Sequence, residues 1–293
     1  MSSLEIYTTA KLWIARISHA NTHIPIDFVS GKNTVASMKS TTVTLSMEET
    51  QTFLQVLAHT SHATPFELLI TALGQVLKDW TGASSWLIDL EGHGREEILE
   101  ELDLSGTVGW FTSLYPFSLT YNNADPGKAL MTVKEQIRTL PHKGLGYGLL
   151  RYLSGDLELM RTFAELPRAL MSFNYLGQFD QVFSTGSFWR MAQEYPGPSY
   201  SMRGMRHHLL NVEISIIDKK MHIMWLYSEN IHRQSTIDYL AQNYVDAIRA
   251  LIAYQREPMA NRYISSDFPD EDLSQEDLTA ILQQLAKDRE EIE

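Results

Sequence analysis

The sequence predicts an α/β (α+β) fold, strands mixed with helices throughout, and three observations carry that expectation. Short apolar or β-branched runs at 41–45, 86–90, 113–121, 171–176, 212–217 and 221–227 have the length of strands. Between them lie longer stretches whose apolar residues recur at helical spacing. Across 293 residues, 44% are hydrophobic and 20% charged, enough apolar surface for a real core and too little charge for a disordered chain.

Each element has a local reason. Residues 2–23 place Leu4, Tyr7, Leu12, Ile14 and Ile17 at helical intervals, and 25–35 reads as a loop. The alternation at 41–45 is a strand. Ser46 followed by Glu48 and Glu49 opens a helix that continues to about 62. Thr64-Pro65 supplies an N-cap and a first-turn proline for a second helix. Phe66, Leu69, Leu73, Val76, Leu77 and Trp80 share its face, and Thr81-Gly82 stops it. The run at 86–90 is a buried strand, 96–102 an acidic helical stretch and 113–121 another strand. Pro126 starts a helix to 140, and a glycine-rich turn leads into a helix at 149–153. After the short strand at 171–176, the runs at 212–217 and 221–227 alternate about Asp218-Lys219 as a β-hairpin. A long amphipathic helix at 236–254 follows, and 258–269 is a linker to an acidic terminal helix.

Composition excludes several classes. With no cysteine there is no disulfide framework, thiolate metal site or cysteine nucleophile. The N-terminus has no basic-then-apolar signal and no apolar run reaches a membrane span, so a cytoplasmic location and no membrane partner are expected. Of the net charge of −12, a net of −8 lies between Ser265 and Glu293, where a solvated helix accounts for it; the chain lacks the basic face of a nucleic-acid binder. His19 and His23 have i,i+4 spacing but no further ligand beside them, so no metal site is expected. Nucleophile elbows, Walker loops and dinucleotide fingerprints are missing from the sequence.

The residues that suggest chemistry begin with Glu91-Gly92-His93-Gly94-Arg95-Glu96, at the end of the 86–90 strand. A carboxylate at the mouth of a core strand, beside backbone that glycine lets turn, suits proton transfer. His93 is placed either to orient Glu91 and meet substrate or to hydrogen-bond backbone in the turn. Arg95 and Glu96 are expected to pair structurally. Trp110 and Phe111, in Thr107-Val108-Gly109-Trp110-Phe111-Thr112, are expected in the core. Tyr147, within Pro141-His142-Lys143-Gly144-Leu145-Gly146-Tyr147-Gly148, is a candidate to line a channel, and the glycines permit tight turns. Asn174, inside Phe173-Asn174-Tyr175-Leu176-Gly177-Gln178-Phe179-Asp180, must satisfy its amide by binding a substrate carbonyl or by holding a neighbouring strand.

Together these segments resemble the epimerization domains of non-ribosomal peptide synthetases, relatives of the condensation domains. EGHGRE at 91–96, TVGWFTSLYP at 107–116, PHKGLGYG at 141–148 and FNYLGQFD at 173–180 stand in the family's order, with a weaker match at 66–74. Gly106 stands where the family usually has arginine. The family's HHxxxDG motif does not occur: His207-His208 is followed by Leu-Leu-Asn-Val-Glu, and this pair reads as structural.

The resemblance implies the C-terminal lobe of a chloramphenicol-acetyltransferase-like architecture, a mixed sheet with packed helices, without the N-terminal lobe that bears HHxxxDG. Residues 1–40 would be an N-terminal helix and connection remnant, 41–257 the lobe, and 258–293 the linker and acidic helix. It also implies a substrate held as an aminoacyl or peptidyl thioester on the phosphopantetheine of a peptidyl carrier protein, with no cofactor bound directly. Glu91 would act in epimerization at Cα, facing a histidine from the N-terminal lobe or a partner synthetase subunit. Asn174, His93 and Tyr147 are the candidates for binding substrate. A lone lobe exposes the wall that faces its partner, a surface that invites self-association. Two alternatives remain open, a non-catalytic docking module for carrier proteins and an amide-forming condensation fragment.

Overall fold

The computed structural model describes residues 3–60, 63–95, 103–104, 106–123, 125–179, 194, 197, 199–254, 267, 277–278, 280–281 and 284. The acidic stretch expected at 96–102, most of the linker at 258–269 and most of the terminal helix lie outside these residues.

In chain order the elements are α1 (Ser3–Ile17), β1 (Met38–Thr44), α2 (Met47–Thr60), α3 (Pro65–Thr81), β2 (Ser85–Gly92), β3 (Ser113–Thr120), α4 (Pro126–Arg138), α5 (Gly146–Gly148), α6 (Leu157–Glu165), β4 (Met171–Gln178), β5 (Leu210–Ile217), β6 (Lys220–Ser228) and α7 (Gln234–Tyr254). The six strands form one mixed sheet in the order β1-β6-β5-β4-β2-β3. The central pairs β2–β4 and β4–β5 are parallel, whereas β2–β3, β5–β6 and β1–β6 are antiparallel. The fold class read from the sequence is the one observed.

Local chemistry accounts for the element ends. Thr64 and Glu67 form a reciprocal capping box on α3, Pro65 fills its first turn, and Gly82 ends it in the left-handed conformation at φ 70°. Asp218 and Lys219, at φ 51° and 61°, make the tight turn of the β5–β6 hairpin. On the outer edge of β3, Gln136 of α4 donates to the Thr120 carbonyl and accepts from the Thr120 amide, closing part of an open strand edge.

One side of the sheet is closed. Trp86, Ile88 and Leu90 of β2, Met171 and Phe173 of β4, Val212 and Ile214 of β5, and Ile223 and Trp225 of β6 are all buried. Helices α3 and α7 cover them. Phe66 meets Phe173 edge-on with ring centroids 5.8 Å apart, Trp225 meets Tyr244 at 6.0 Å, and the Tyr244 hydroxyl donates to the Leu69 carbonyl at 2.8 Å. Four charged side chains are also interior: Lys134 bonds Asp267 at 2.8 Å, and Arg138 bridges Asp267 and Glu67. Lys134 and Asp267 have no exposed side-chain surface, and each buried charge is met by an opposite one.

Three local expectations need correction. Helix α6 was not anticipated: it is nine residues long and buries only Leu159 and Phe163, too few apolar positions to stand out, although Asp156 caps it by accepting from the Glu158 and Leu159 amides. The helix expected at 149–153 is a π turn continuing from α5. Trp110 is not in the core but 91% exposed, because the Arg95 guanidinium bonds the carbonyls of Leu104, Thr107 and Gly109 and lies 4.4 Å from the Phe111 ring centroid, which turns Trp110 outward.

Candidate active site

The other side of the sheet is where polar residues alternate with the buried ones. On β2 these are Asp89 and Glu91, on β4 Ser172 and Asn174, and on β5 Asn211 and Glu213. Strand register aligns them in two rows. Asp89 pairs with Ser172 and Ser172 with Asn211; one step along, Asn174 pairs with Glu213. Paired residues on adjacent strands point to the same face, so six polar side chains share one patch. Asp89, Glu91, Asn174, Asn211 and Glu213 are all partly exposed.

In the first row His208, just before β5, donates from Nε2 to Asp89 Oδ2 at 2.7 Å. Asn211 donates to the Ser172 hydroxyl at 2.7 Å and accepts from Arg206 at 2.6 Å. Arg206 also reaches the Leu226 carbonyl at 3.0 Å, which fixes this end of the patch. In the second row Asn174 Nδ2 donates to Glu91 Oε2 at 2.7 Å. Burial pushes the Glu91 carboxyl above the ordinary carboxylate value, while the positive charge of His208 acts to lower it. Glu213 is raised too, first by burial and then by repulsion from Glu91.

The structure joins Glu91 and Asn174 by a direct hydrogen bond, and Tyr147 lies near enough to Asp89 to feel its charge. His93 is exposed, and its Nδ1 accepts from the Arg95 amide at 3.0 Å, so this contact caps the turn after β2. Beside it Gly94, at φ 66°, is required: a Cβ there would sit 1.6 Å from the Phe111 carbonyl oxygen. Tyr147 is only 6% exposed, with its ring edge-on to Trp13 at 5.3 Å and its hydroxyl accepting from Arg151 at 2.8 Å. Gly144, at φ 92°, leaves room for Tyr115, whose ring would lie 2.2 Å from an added Cβ. The glycine-rich segment thus packs the fold and brings Tyr147 into the core.

Sequence reading missed Asp89, Glu213 and Asn211, and it gave His208 a structural role without placing it beside Glu91. The available signal was the β5 alternation, in which Asn211, Glu213 and Ser215 separate Val212, Ile214 and Ile216. A cavity of about 260 Å³ between α1, β3 and α4, lined by Trp13, Phe117 and Gln136 among others, includes none of the patch residues. Among the described residues no group of three or more His, Asp or Glu is placed to hold a metal ion, and no helix is long and apolar enough to cross a membrane.

This fold is shared by solved structures. The X-domain from teicoplanin biosynthesis superposes with a TM-score of 0.59 at 15% identity, covering 89% of this chain and 57% of that one, a likeness of fold alone. The epimerization domain from the third module of tyrocidine synthetase B superposes with a TM-score of 0.77 at 31% identity, covering 86% of this chain and 56% of that one.

The condensation domain family matches residues 3–274, and the chain belongs to it, within the non-ribosomal peptide synthetases. A linear gramicidin synthase protein of Brevibacillus parabrevis is 43% identical over 296 residues, covering 98% of this chain and 4% of that protein. Gramicidin S synthase 1 of Brevibacillus brevis is 32% identical over 300 residues, covering 97% of this chain and 27% of that protein. The chain thus spans a small part of the relatives it matches.

Proposed function

We propose that this chain is the Glu91-bearing half of an epimerization-type domain, acting on the Cα of an aminoacyl or peptidyl group held as a thioester on a carrier protein's phosphopantetheine. The observation that carries this reading is the Glu91 carboxyl at the end of β2, held by Asn174 and raised in pKa by burial. The likeness to the tyrocidine synthetase epimerization domain supports it.

The thioester acidifies the Cα–H bond. A base removes that proton, the electron pair passes into the thioester carbonyl as an enolate, and a proton returns to Cα from the opposite face. Two proton-handling groups are needed, one on each side. Glu91 is one; a histidine of an N-terminal lobe, carried on this polypeptide or on a partner subunit, is the other. A carboxyl raised toward neutrality can give a proton in one direction and take it in the other. Asn174 holds Glu91 in place on the face that substrate would approach. Carrier protein and neighbouring synthetase modules are the expected partners, and the exposed face is the surface through which a second lobe, or a second copy, would pair.

The test is exchange of α-deuterium from a carrier-bound aminoacyl thioester, with an N-terminal lobe supplied. Exchange is expected, and Glu91→Gln should lower its rate by about 10²–10⁴-fold. Full activity in Glu91→Gln would overturn the assignment. The second reading, amide formation, follows from the family description itself. It predicts a dipeptidyl product from two carrier-bound aminoacyl thioesters and no exchange.

A further inference from the structure

The second row of the patch holds a carboxylate that the reaction above does not use. Glu213 sits directly across from Asn174 on β5, and Glu91 bonds Asn174 from β2, so one amide lies between two acids on the same face. The strands carrying them are separated only by β4, about 10 Å apart in all.

We propose that Glu213 is a positioning residue of this site, coupled to Glu91 across Asn174 so that the charge on one carboxyl sets how readily the other holds its proton. The proposal rests on the epimerization reading and adds to it the group that determines whether Glu91 stands ready as acid or as base.

The surroundings support it. Glu213 has no hydrogen-bond or ion-pair partner among the described residues, and the nearby cations are engaged elsewhere. His208 is bonded to Asp89, and Arg206 to Asn211, Asn33 and two backbone carbonyls. From β6, the residues on this face are His222, opposite Ser215, and Met224, opposite Glu213; from β1 it is Thr42, opposite Met224. From β3 it is Leu114, opposite Glu91.

No cation among the described residues is therefore positioned to neutralise Glu213, and two half-buried carboxylates on either side of one amide do not both ionise without cost. His208 favours charge on Glu91, and Glu91 in turn disfavours charge on Glu213. With Glu213 protonated, Glu91 ionises readily and is a base. When Glu213 loses its proton, the added negative charge holds the proton on Glu91 and makes it the acid.

The experiment is a carbon-13 NMR titration of the Glu91 side-chain carboxyl in the whole chain, wild type against Glu213→Gln. The pH–rate profile of α-deuterium exchange with the N-terminal lobe supplied is followed in parallel. The amide is isosteric and uncharged, so the fold is retained. Wild type is expected to titrate in two steps or one broadened step. In Glu213→Gln the titration becomes a single step at lower pH, and the acid limb of the rate profile moves to lower pH with KM unchanged. Superimposed Glu91 titrations in the two proteins would overturn the coupling. Coupled titrations in a wild type that exchanges no deuterium would instead overturn the epimerization reading.

Discussion

The two faces of the sheet use the same strands for opposite ends. Along β5, Val212, Ile214 and Ile216 are buried under helices, while Asn211, Glu213 and Ser215, one residue out of phase, are partly exposed. The covered face is a dry interior where shape sets stability. The open face gathers two raised carboxyls and a His–Asp pair, groups that a protein selected only for stability would replace with apolar ones. The difference separates residues that maintain the fold from residues proposed to do the chemistry, and it can be challenged by experiment.

The largest effect should come from the covered face. Trp225→Ala removes a fully buried ring packed on Tyr244 and should cost about 3–5 kcal/mol, read as a lowered urea midpoint.

The next concerns pH, where the two sides should respond with opposite sign. His232, on the covered side next to Trp80, is 1% exposed, and burial lowers its pKa to about 4. The unfolded chain takes up that proton first as pH falls below about 6.5, so stability is lost between there and about pH 4, by roughly 2–3 kcal/mol. His232→Phe should flatten the acid side of the stability curve; an unchanged slope would refute a buried neutral histidine. Glu91 and Glu213 have folded values above their unfolded ones. Their contribution is complete below the unfolded carboxylate value and is lost as pH rises through the folded values.

The smallest effect on stability belongs to Asn174→Ala, within about 1 kcal/mol because the site is partly solvated. The same change should lower exchange by about tenfold or more through misplacement of Glu91. A variant that loses several kcal/mol instead would show that the polar patch is structural.

Much of this was legible in the sequence. The Thr64-Pro65 start of α3, its Gly82 stop and the β5–β6 hairpin are written in neighbouring residues, and each occurs where local chemistry puts it. Glu91 stood out because it ends a strand beside glycines. Strand order was not legible: β1 pairs with β6, Met38 opposite Ser228, and no local signal encodes a partner so distant. For the same reason Glu213 and His208 could not be connected to Glu91, since their meeting depends on the parallel pairing of β2, β4 and β5. Trp110 misled because large aromatics usually bury, and here the loop is held by Arg95 to backbone carbonyls instead.

The buried bond between Lys134 and Asp267 has a consequence in time. On the ribosome, Lys134 emerges 133 residues before its carboxylate partner, on the order of ten seconds at ordinary synthesis rates. Throughout that interval α4 is without the carboxylate that Lys134 and Arg138 share in the finished fold. Until then α4 is tied to α3 by the Arg138–Glu67 pair alone of these bonds, so a nascent protein stalled before Asp267 would hold this seam by a smaller set of charges than the finished one.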